Sequence, residues 1–300
     1  MIFIIGVGRS GTTLLQSMLN AHPKISFIPE ISYIRRFLKR NSIISKDLAK
    51  TLLLADPKLN RLDIPLAEIL SATPGAEINL LQVYVDIIKE YRKKRGQTII
   101  GDKDPRCIEF IPRLYRYFPR AFLLHVVRDP RDVIVSKTKA TWSKNRNIHN
   151  YIFANLVQMQ LAEKHAPLFG RNYLIVQYEK LLQNPIEILS QLCQKLELEF
   201  EPSMLSFNKS AQELMAEEEY QWKKETLGPL MQDNINKWSG LLTPLQVGLI
   251  EDVLDNIFKQ YDYKKSNPKL FIYQKIFIKF LKMFYYTLAV IYRYGRNRNQ

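Results

Sequence analysis

Ile2-Phe3-Ile4-Ile5-Gly6-Val7-Gly8-Arg9-Ser10-Gly11-Thr12-Thr13 begins as an apolar strand and runs straight into a glycine-rich loop, after which Leu14 to Asn20 is patterned as a helix. A strand, a tight loop and a helix N-terminus bring backbone N–H groups and partial positive charge onto one small anion. The residues expected on that anion are Gly8, Arg9, Ser10, Gly11, Thr12 and Thr13. The spacing from Gly6 to Gly11 is that of a nucleotide P-loop, but the lysine that would reach the β and γ phosphates is replaced by Thr12. A loop that keeps Arg9 and lacks the lysine suits a donor with a short 5′ group better than a triphosphate. A P-loop kinase or NTPase would need that lysine and a magnesium-binding carboxylate.

Further along, short runs rich in Ile, Val, Leu or Tyr alternate with helical patterns. Thr98 to Gly101, Ala121 to Val127 and Tyr173 to Gln177 read as strands. Helices are predicted over Ser32 to Leu54, Ile78 to Lys94, Cys107 to Tyr117, Ile148 to Ala166 and Pro185 to Leu196, with Ala55 to Pro74 as an irregular, proline-bearing connection. The alternation predicts an α/β fold, a parallel β-sheet flanked by helices on both faces, with ligands at the carboxyl ends of the strands. Cys107 and Cys193 are far apart and lack metal-ligand spacing, so neither a disulfide framework nor a metal site is expected. Met1 abuts the first strand, which predicts no secretory leader and a cytoplasmic location.

The strand Ala121 to Val127 ends in Arg128-Asp129-Pro130-Arg131-Asp132-Val133-Ile134-Val135-Ser136. Together with the first loop and Ala21-His22-Pro23, this segment resembles the sulfotransferases that use 3′-phosphoadenosine 5′-phosphosulfate (PAPS), most of all the protein-tyrosine-sulfotransferase-like branch. The resemblance covers roughly residues 1 to 262 and is weak across 35 to 95. It implies a P-loop-like sulfotransferase fold, PAPS as donor and 3′,5′-adenosine bisphosphate (PAP) as product, with no metal. It places Arg128 and Ser136 on the 3′-phosphate, an assignment that a guanidinium fork and a hydroxyl suit chemically. It also implies Glu30 as catalytic base, Arg9 and Lys103 on the transferring group, and Tyr178, Lys237 and Trp238 on the nucleotide side. His22 is the rival base, although Ala-His-Pro also reads as a helix-ending turn. The branch's assisting serine has no match in Tyr220-Gln221-Trp222-Lys223-Lys224-Glu225-Thr226, where Lys223 and Thr226 are the nearest substitutes, and this puts protein tyrosine as acceptor in question.

The charge pattern divides the chain into a sulfotransferase domain, 1–265, and a basic amphipathic tail, 266–300. Of the formal net +15, nine cations lie between Lys264 and Arg298 with no Asp or Glu among them, leaving 15 − 9 = +6 for the rest. Lys275, Lys279 and Lys282 share a helical face, with Phe271, Ile272, Phe277, Phe280, Leu281 and Phe284 around them. The uncharged stretch Met283 to Tyr292 is too short to span a bilayer. Lying in an anionic membrane interface, peripheral to the inner face of the membrane, is the sharper expectation; packing on the domain or on a second subunit as a homodimer is the alternative. No nucleic-acid-binding module accompanies the charge. The acceptor expected is a hydroxyl, on a glycan, a glycolipid or another metabolite near a membrane, and a non-catalytic, membrane-associated PAP-binding protein is the non-enzymatic alternative.

Overall fold

The central strand β1 (Ile2–Gly6) is buried along its whole length because parallel strands flank it on both sides and helices cover both faces. The computed structural model describes residues 1–38, 42–140, 147–214, 228, 230, 231 and 234–297. Its other strands are β2 (Ile25–Phe27), β3 (Ile43–Ser45), β4 (Glu77–Asn79), β5 (Ile99–Lys103), β6 (Phe122–Val127) and β7 (Tyr173–Gln177). Five of them form a parallel sheet in the order β2-β5-β1-β6-β7, while β3 and β4 pair separately and antiparallel. The fold is thus the α/β sheet with flanking helices read from the sequence. Alternation along β1 divides its side chains between two cores: Phe3 and Ile5 join one, Ile2 and Ile4 the other. Cys107 lies in the first core and Cys193 in the second, both as free thiols.

The predicted helix over Ser32 to Leu54 is broken in the structure. A short helix, Tyr33–Arg36, gives way to β3, and a new helix starts at Lys46 with Ser45 as its cap, its hydroxyl accepting from Leu48 N at 3.3 Å. The reason is local: Ile43 and Ile44 are β-branched and pair with β4, where Ile44 stands opposite Ile78. Likewise the helix predicted from Ile78 begins at Leu80, because Asn79 Oδ1 accepts from Leu81 N at 2.9 Å. The segment read as irregular, Ala55 to Pro74, holds short helices at Pro57–Asn60 and Leu66–Ala72. Pro112 near the start of helix Ile111–Tyr117 separates it from the 3₁₀ turn Pro105–Glu109, so the single predicted helix over Cys107 to Tyr117 is two elements.

The C-terminal helix, Ile272–Asn297, packs on the domain through one face. Ile278, Tyr285 and Ala289 are buried in the same core as β1's Phe3 and Ile5. Tyr285 OH bonds to His149 Nδ1 and its ring stacks near Phe153, while Tyr286 OH donates to Val253 O at 3.3 Å. At the far end, Arg296 Nη1 meets the Glu109 carboxylate at 2.6 Å. The segment leading into the helix is also fixed: Ser266 N and Oγ donate to Glu251 Oε1, and Arg131 donates to Lys264 O. Gly248 permits this closeness, since a Cβ there would stand 2.6 Å from Leu270 Cδ1. Among the described residues, no helix is long and apolar enough to cross a membrane.

If that helix belongs to the core, truncating one of its buried rings destabilises the entire domain. Replacing a buried aromatic by alanine costs about 3–5 kcal/mol. Tyr285→Ala should therefore lower the free energy of unfolding by that order in urea titration. Exposed Ile291→Ala should change it by under about 0.5 kcal/mol.

Candidate active site

Every strand of the main sheet delivers a candidate residue at or just beyond its carboxyl end, and the strand order fixes their sequence across the site. From one edge to the other these are Glu30 after β2, Lys103 at the end of β5, the Gly6–Thr13 loop after β1, Arg128 after β6 and Tyr178 after β7. The proposed base and the proposed 3′-phosphate ligand are thus on opposite sides of the loop.

The loop is shaped by its glycine and by a ring beneath it. Gly11 has φ 94°, and a Cβ there would lie 2.2 Å from Tyr178 Cδ2, so glycine answers both the left-handed backbone and the contact. Arg9 also has a positive φ, 77°. Helix Thr12–Asn20, which follows, has no side-chain cap and no acidic residue in its first turn, leaving its N-terminal N–H groups directed at the loop. Ser10 and Thr12 are buried, while Gly8, Arg9, Gly11 and Thr13 are half-buried.

The loop after β1 and the segment Arg128 to Ser136 meet. Arg9 Nε donates to Ser136 Oγ at 3.0 Å, and Arg128 Nη1 donates to Arg9 O at 3.3 Å. Arg128 is buried, its guanidinium lying 4.3 Å over the Tyr178 ring and its Nη2 donating to Asn234 O at 2.9 Å. Asn234 Nδ2 donates in turn to Tyr178 OH at 2.7 Å. Arg128 Nε is buried and has no hydrogen-bond partner among the described residues. A buried guanidinium N–H without an acceptor, next to an uncapped helix N-terminus, fits an anionic phosphoryl ligand. Tyr178 braces the loop and Arg128 from below.

Trp238 is likewise engaged in structure. Its ring lies 4.0 Å from the Arg131 guanidinium, and its backbone N donates to Asp132 Oδ1 at 2.9 Å. Asp132 Oδ2 accepts from Asn236 N at 2.8 Å, so this carboxylate ties the segment carrying half-buried Lys237 to helix Pro130–Thr138. Burial pushes the Asp132 carboxyl up, against the opposing pull of Arg128. Arg131 is held by Asp129 and Glu251 at 2.6 Å each. Lys223 and Thr226 lie outside the described residues.

At the other edge, Lys103 is 1% exposed and forms an ion pair with Glu30, whose side chain is 22% exposed. The pair places a partly exposed carboxylate and a buried ammonium side by side at neighbouring strand ends. His22 is elsewhere occupied: its Nδ1 accepts from Lys24 N at 3.0 Å and its Nε2 meets Glu199 O at 3.0 Å. With both ring nitrogens committed to backbone groups, His22 serves the turn between helix Thr12–Asn20 and β2. Sequence reasoning missed several members of the site. Asn234 sits in an irregular segment with no periodicity to mark it. Asp102 was overlooked beside Lys103, although an aspartate inside an apolar strand is itself a signal. Asp102 Oδ2 accepts from Tyr84 OH at 2.6 Å, its Oδ1 has no partner among the described residues, and burial pushes its carboxyl up to about 7.

A cavity of about 420 Å³ borders the loop at Gly8 and the 3₁₀ turn Pro105–Glu109 at Arg106. Glu109, Lys137 and Tyr151 line it, and Tyr292 of the C-terminal helix forms part of its wall. Among the described residues, no cluster could hold a metal ion.

Residues 2–202 match the model of the family described as "Sulfotransferase family", and the chain belongs to that family. Among curated relatives, an uncharacterized protein of Aquifex aeolicus is 22% identical over 290 residues, covering 91% of this chain and 34% of its own length. A protein-tyrosine sulfotransferase of Drosophila melanogaster is 25% identical over 214 residues, covering 68% of this chain and 39% of its own. Protein-tyrosine sulfotransferase 1 of Mus musculus is 34% identical over 133 residues, 44% of this chain and 32% of that protein. The matched regions span about a third of the length of each of these three relatives. The sulfotransferase domain of the Synechococcus PCC 7002 olefin synthase superposes with a TM-score of 0.63 over 85% of this chain and 94% of that domain, at 20% identity, a likeness of fold.

The Asp102 carboxyl yields a test of pH dependence. Its folded pKa stands above the unfolded value near 3.9, so folding takes up a proton between the two, and stability declines as pH rises from about 4 through about 7. Asp102→Asn cannot titrate. Measured by thermal melts from pH 5 to 8, the wild type should lose stability relative to Asp102→Asn as pH rises; a constant difference would show that Asp102 keeps an ordinary carboxylate pKa.

Proposed function

We propose that the chain is a sulfotransferase that moves a sulfonate from PAPS to a hydroxyl acceptor and releases PAP. One observation carries the reading: Arg9 of the first loop and Ser136 of the second motif are 3.0 Å apart, with Arg128 bonded to the same residue's carbonyl. Donors from both motifs therefore converge on one site, which suits a nucleotide bearing phosphate groups at both the 5′ and 3′ positions. Gly8 to Thr13 would hold the 5′ end, and Arg128 and Ser136 the 3′-phosphate. Lys237 and Trp238 stay on the nucleotide side, where Asp132 anchors their backbone.

When bound, PAPS supplies an activated sulfonate on a phosphate leaving group. Glu30, at the partly open edge of the site, accepts the proton of the acceptor hydroxyl as the new O–S bond forms and the bond to the phosphate breaks. Lys103 offers its ammonium to the sulfonate oxygens and Arg9 its guanidinium to the bridging region, where negative charge grows. The cavity beside Gly8 and Arg106 offers room for the body of an acceptor such as a glycan or glycolipid, whose reacting hydroxyl would reach from it to Glu30. Contact with a membrane through the C-terminal helix belongs to the same reading, as does an inner-leaflet, cytoplasmic setting.

PAP should raise the melting temperature more than AMP or ATP at equal concentration. At a ligand concentration about 100 times the dissociation constant the stabilisation amounts to roughly 2.7 kcal/mol. Ser136→Ala should weaken PAP by roughly tenfold or more, through the lost hydrogen bond to a charged group, and weaken AMP less, since only the loss of its bond to Arg9 Nε is common to both ligands. Equal shifts for PAP and AMP in the wild type would remove the 3′-phosphate assignment. Arg128→Ala is less clean, because it also removes the bonds to Arg9 O and Asn234 O.

Base and binder separate by charge. Glu30→Gln keeps the shape but cannot take a proton, so label transfer from sulfur-labelled PAPS should fall by on the order of 10² to 10⁴ while PAP affinity stays near wild type. Lys103→Ala should lower transfer by roughly 10² to 10³. Full activity in Glu30→Gln would sink the assignment.

A further inference from the structure

The C-terminal helix is apolar on two opposite faces, and only one of them is covered. Ile278, Tyr285 and Ala289 are turned into the domain. On the other side Ile272, Ile276, Phe280, Met283, Val290 and Tyr294 are each between 56% and 73% exposed. At 100° per residue these positions form one continuous stripe that follows the helix from end to end, about 39 Å for 26 residues. The stripe is far more apolar surface than isolated exposed side chains account for.

The charges beside the stripe select its occupant. Lys275, Lys279 and Arg293 fall along one edge, between the exposed and the buried faces, with Lys269 just before the helix. The cations that turn toward the domain meet carboxylates there, Lys282 with Asp252 and Arg296 with Glu109. No Asp or Glu occurs anywhere in 264–300. A second copy packed stripe to stripe would find no carboxylate on the facing helix for these cations. A basic edge along an apolar stripe matches the boundary between lipid headgroups and acyl chains, with long cationic stems reaching toward phosphate.

We propose that the outward face of helix Ile272–Asn297 docks on an anionic lipid bilayer. The inner face stays on the domain, so docking requires no unfolding of the helix from the core. Because Tyr292 of this helix also walls the cavity beside Gly8, the docked protein holds that cavity next to the bilayer surface. The proposal deepens the membrane-proximal acceptor reading above, and it is tested without donor or acceptor, so its failure leaves the donor assignment intact.

The full chain is sedimented with vesicles of phosphatidylcholine alone and of phosphatidylcholine with phosphatidylglycerol. At about 1 kcal/mol per cation near the surface, the three edge cations predict binding to the anionic vesicles stronger by on the order of a hundredfold, falling as salt shortens the Debye length. Ile276→Gln/Phe280→Gln/Met283→Gln should lose vesicle binding by more than about tenfold while its melting temperature and its stabilisation by PAP stay at wild type, since all of these side chains face outward. Lys275→Gln/Lys279→Gln should lose most of the preference for anionic vesicles. Equal binding to both vesicle types, no binding, or full binding by the triple variant overturns the proposal. So does a wild-type dimer in sedimentation velocity that the triple variant converts to monomer, because the stripe would then belong to a second copy.

Discussion

A buried guanidinium at the carboxyl end of β6 holds one side of the candidate site together. Arg128 touches stretches far apart in sequence: the loop after β1 through Arg9 O, the ring after β7 through Tyr178, and the segment before Trp238 through Asn234. Removing a charge from water is costly, and the compensation here comes from carbonyl oxygens, a π face and Asp132 at 4.0 Å. None of these accepts at Nε. The arrangement therefore leaves one buried guanidinium N–H without an acceptor beside the Gly6–Thr13 loop. The same contacts make Arg128 a structural residue, since the loop carbonyl it binds is that of the arginine assigned to the transferring group.

The sheet order gives the chemistry its separation. With β5 between β1 and β2, Lys103 stands between the loop and Glu30, while β6 and β7 place Arg128 and Tyr178 on the far side. The ammonium of Lys103 and the cation of Arg9 therefore stand between the Glu30 carboxylate and Arg128. Beneath the pair, Asp102 is a buried carboxyl held toward its neutral form, bonded to Tyr84. A fully charged Asp102 would compete with Glu30 for the same ammonium. Burial of Asp102 thus favours the pairing of Lys103 with Glu30.

Much of this was legible in the sequence where a local signal carries the information. The apolar run into Gly6-Val7-Gly8-Arg9-Ser10-Gly11 declares its strand and loop, and Arg128 to Ser136 declares its helix through Asp129 and Pro130 at the cap. The roles of Tyr178 and Trp238 were less legible, because a sequence shows that an aromatic follows a strand but not whether its ring faces a ligand or another residue. Gly11 needs the Tyr178 ring to be explained, and that contact joins residues 167 positions apart. His22 had the residue type of a base and the context of a turn, and two backbone partners decide for the turn. The break in the predicted helix over Ser32 to Leu54 had its cause in plain view, in the β-branched pair Ile43-Ile44 followed by a serine cap.

The tail shows why composition alone left two readings open. Its lysines and aromatics fit both a membrane surface and a packed helix, and an amphipathic plot with one apolar arc would force a choice. The helix has apolar arcs on opposite sides, so the two readings concern different residues. Tyr285 and Ala289 answer to the core, Phe280 and Met283 to whatever covers the outer stripe. Cutting the chain after Lys265 would therefore remove core and stripe together, along with the contacts that Ser266 makes to Glu251. Glu251 in turn grips Arg131, and Arg131 lies under Trp238. The Trp238 segment and the C-terminal helix thus share one network of buried charge, so only substitutions confined to the outer stripe can separate docking from folding.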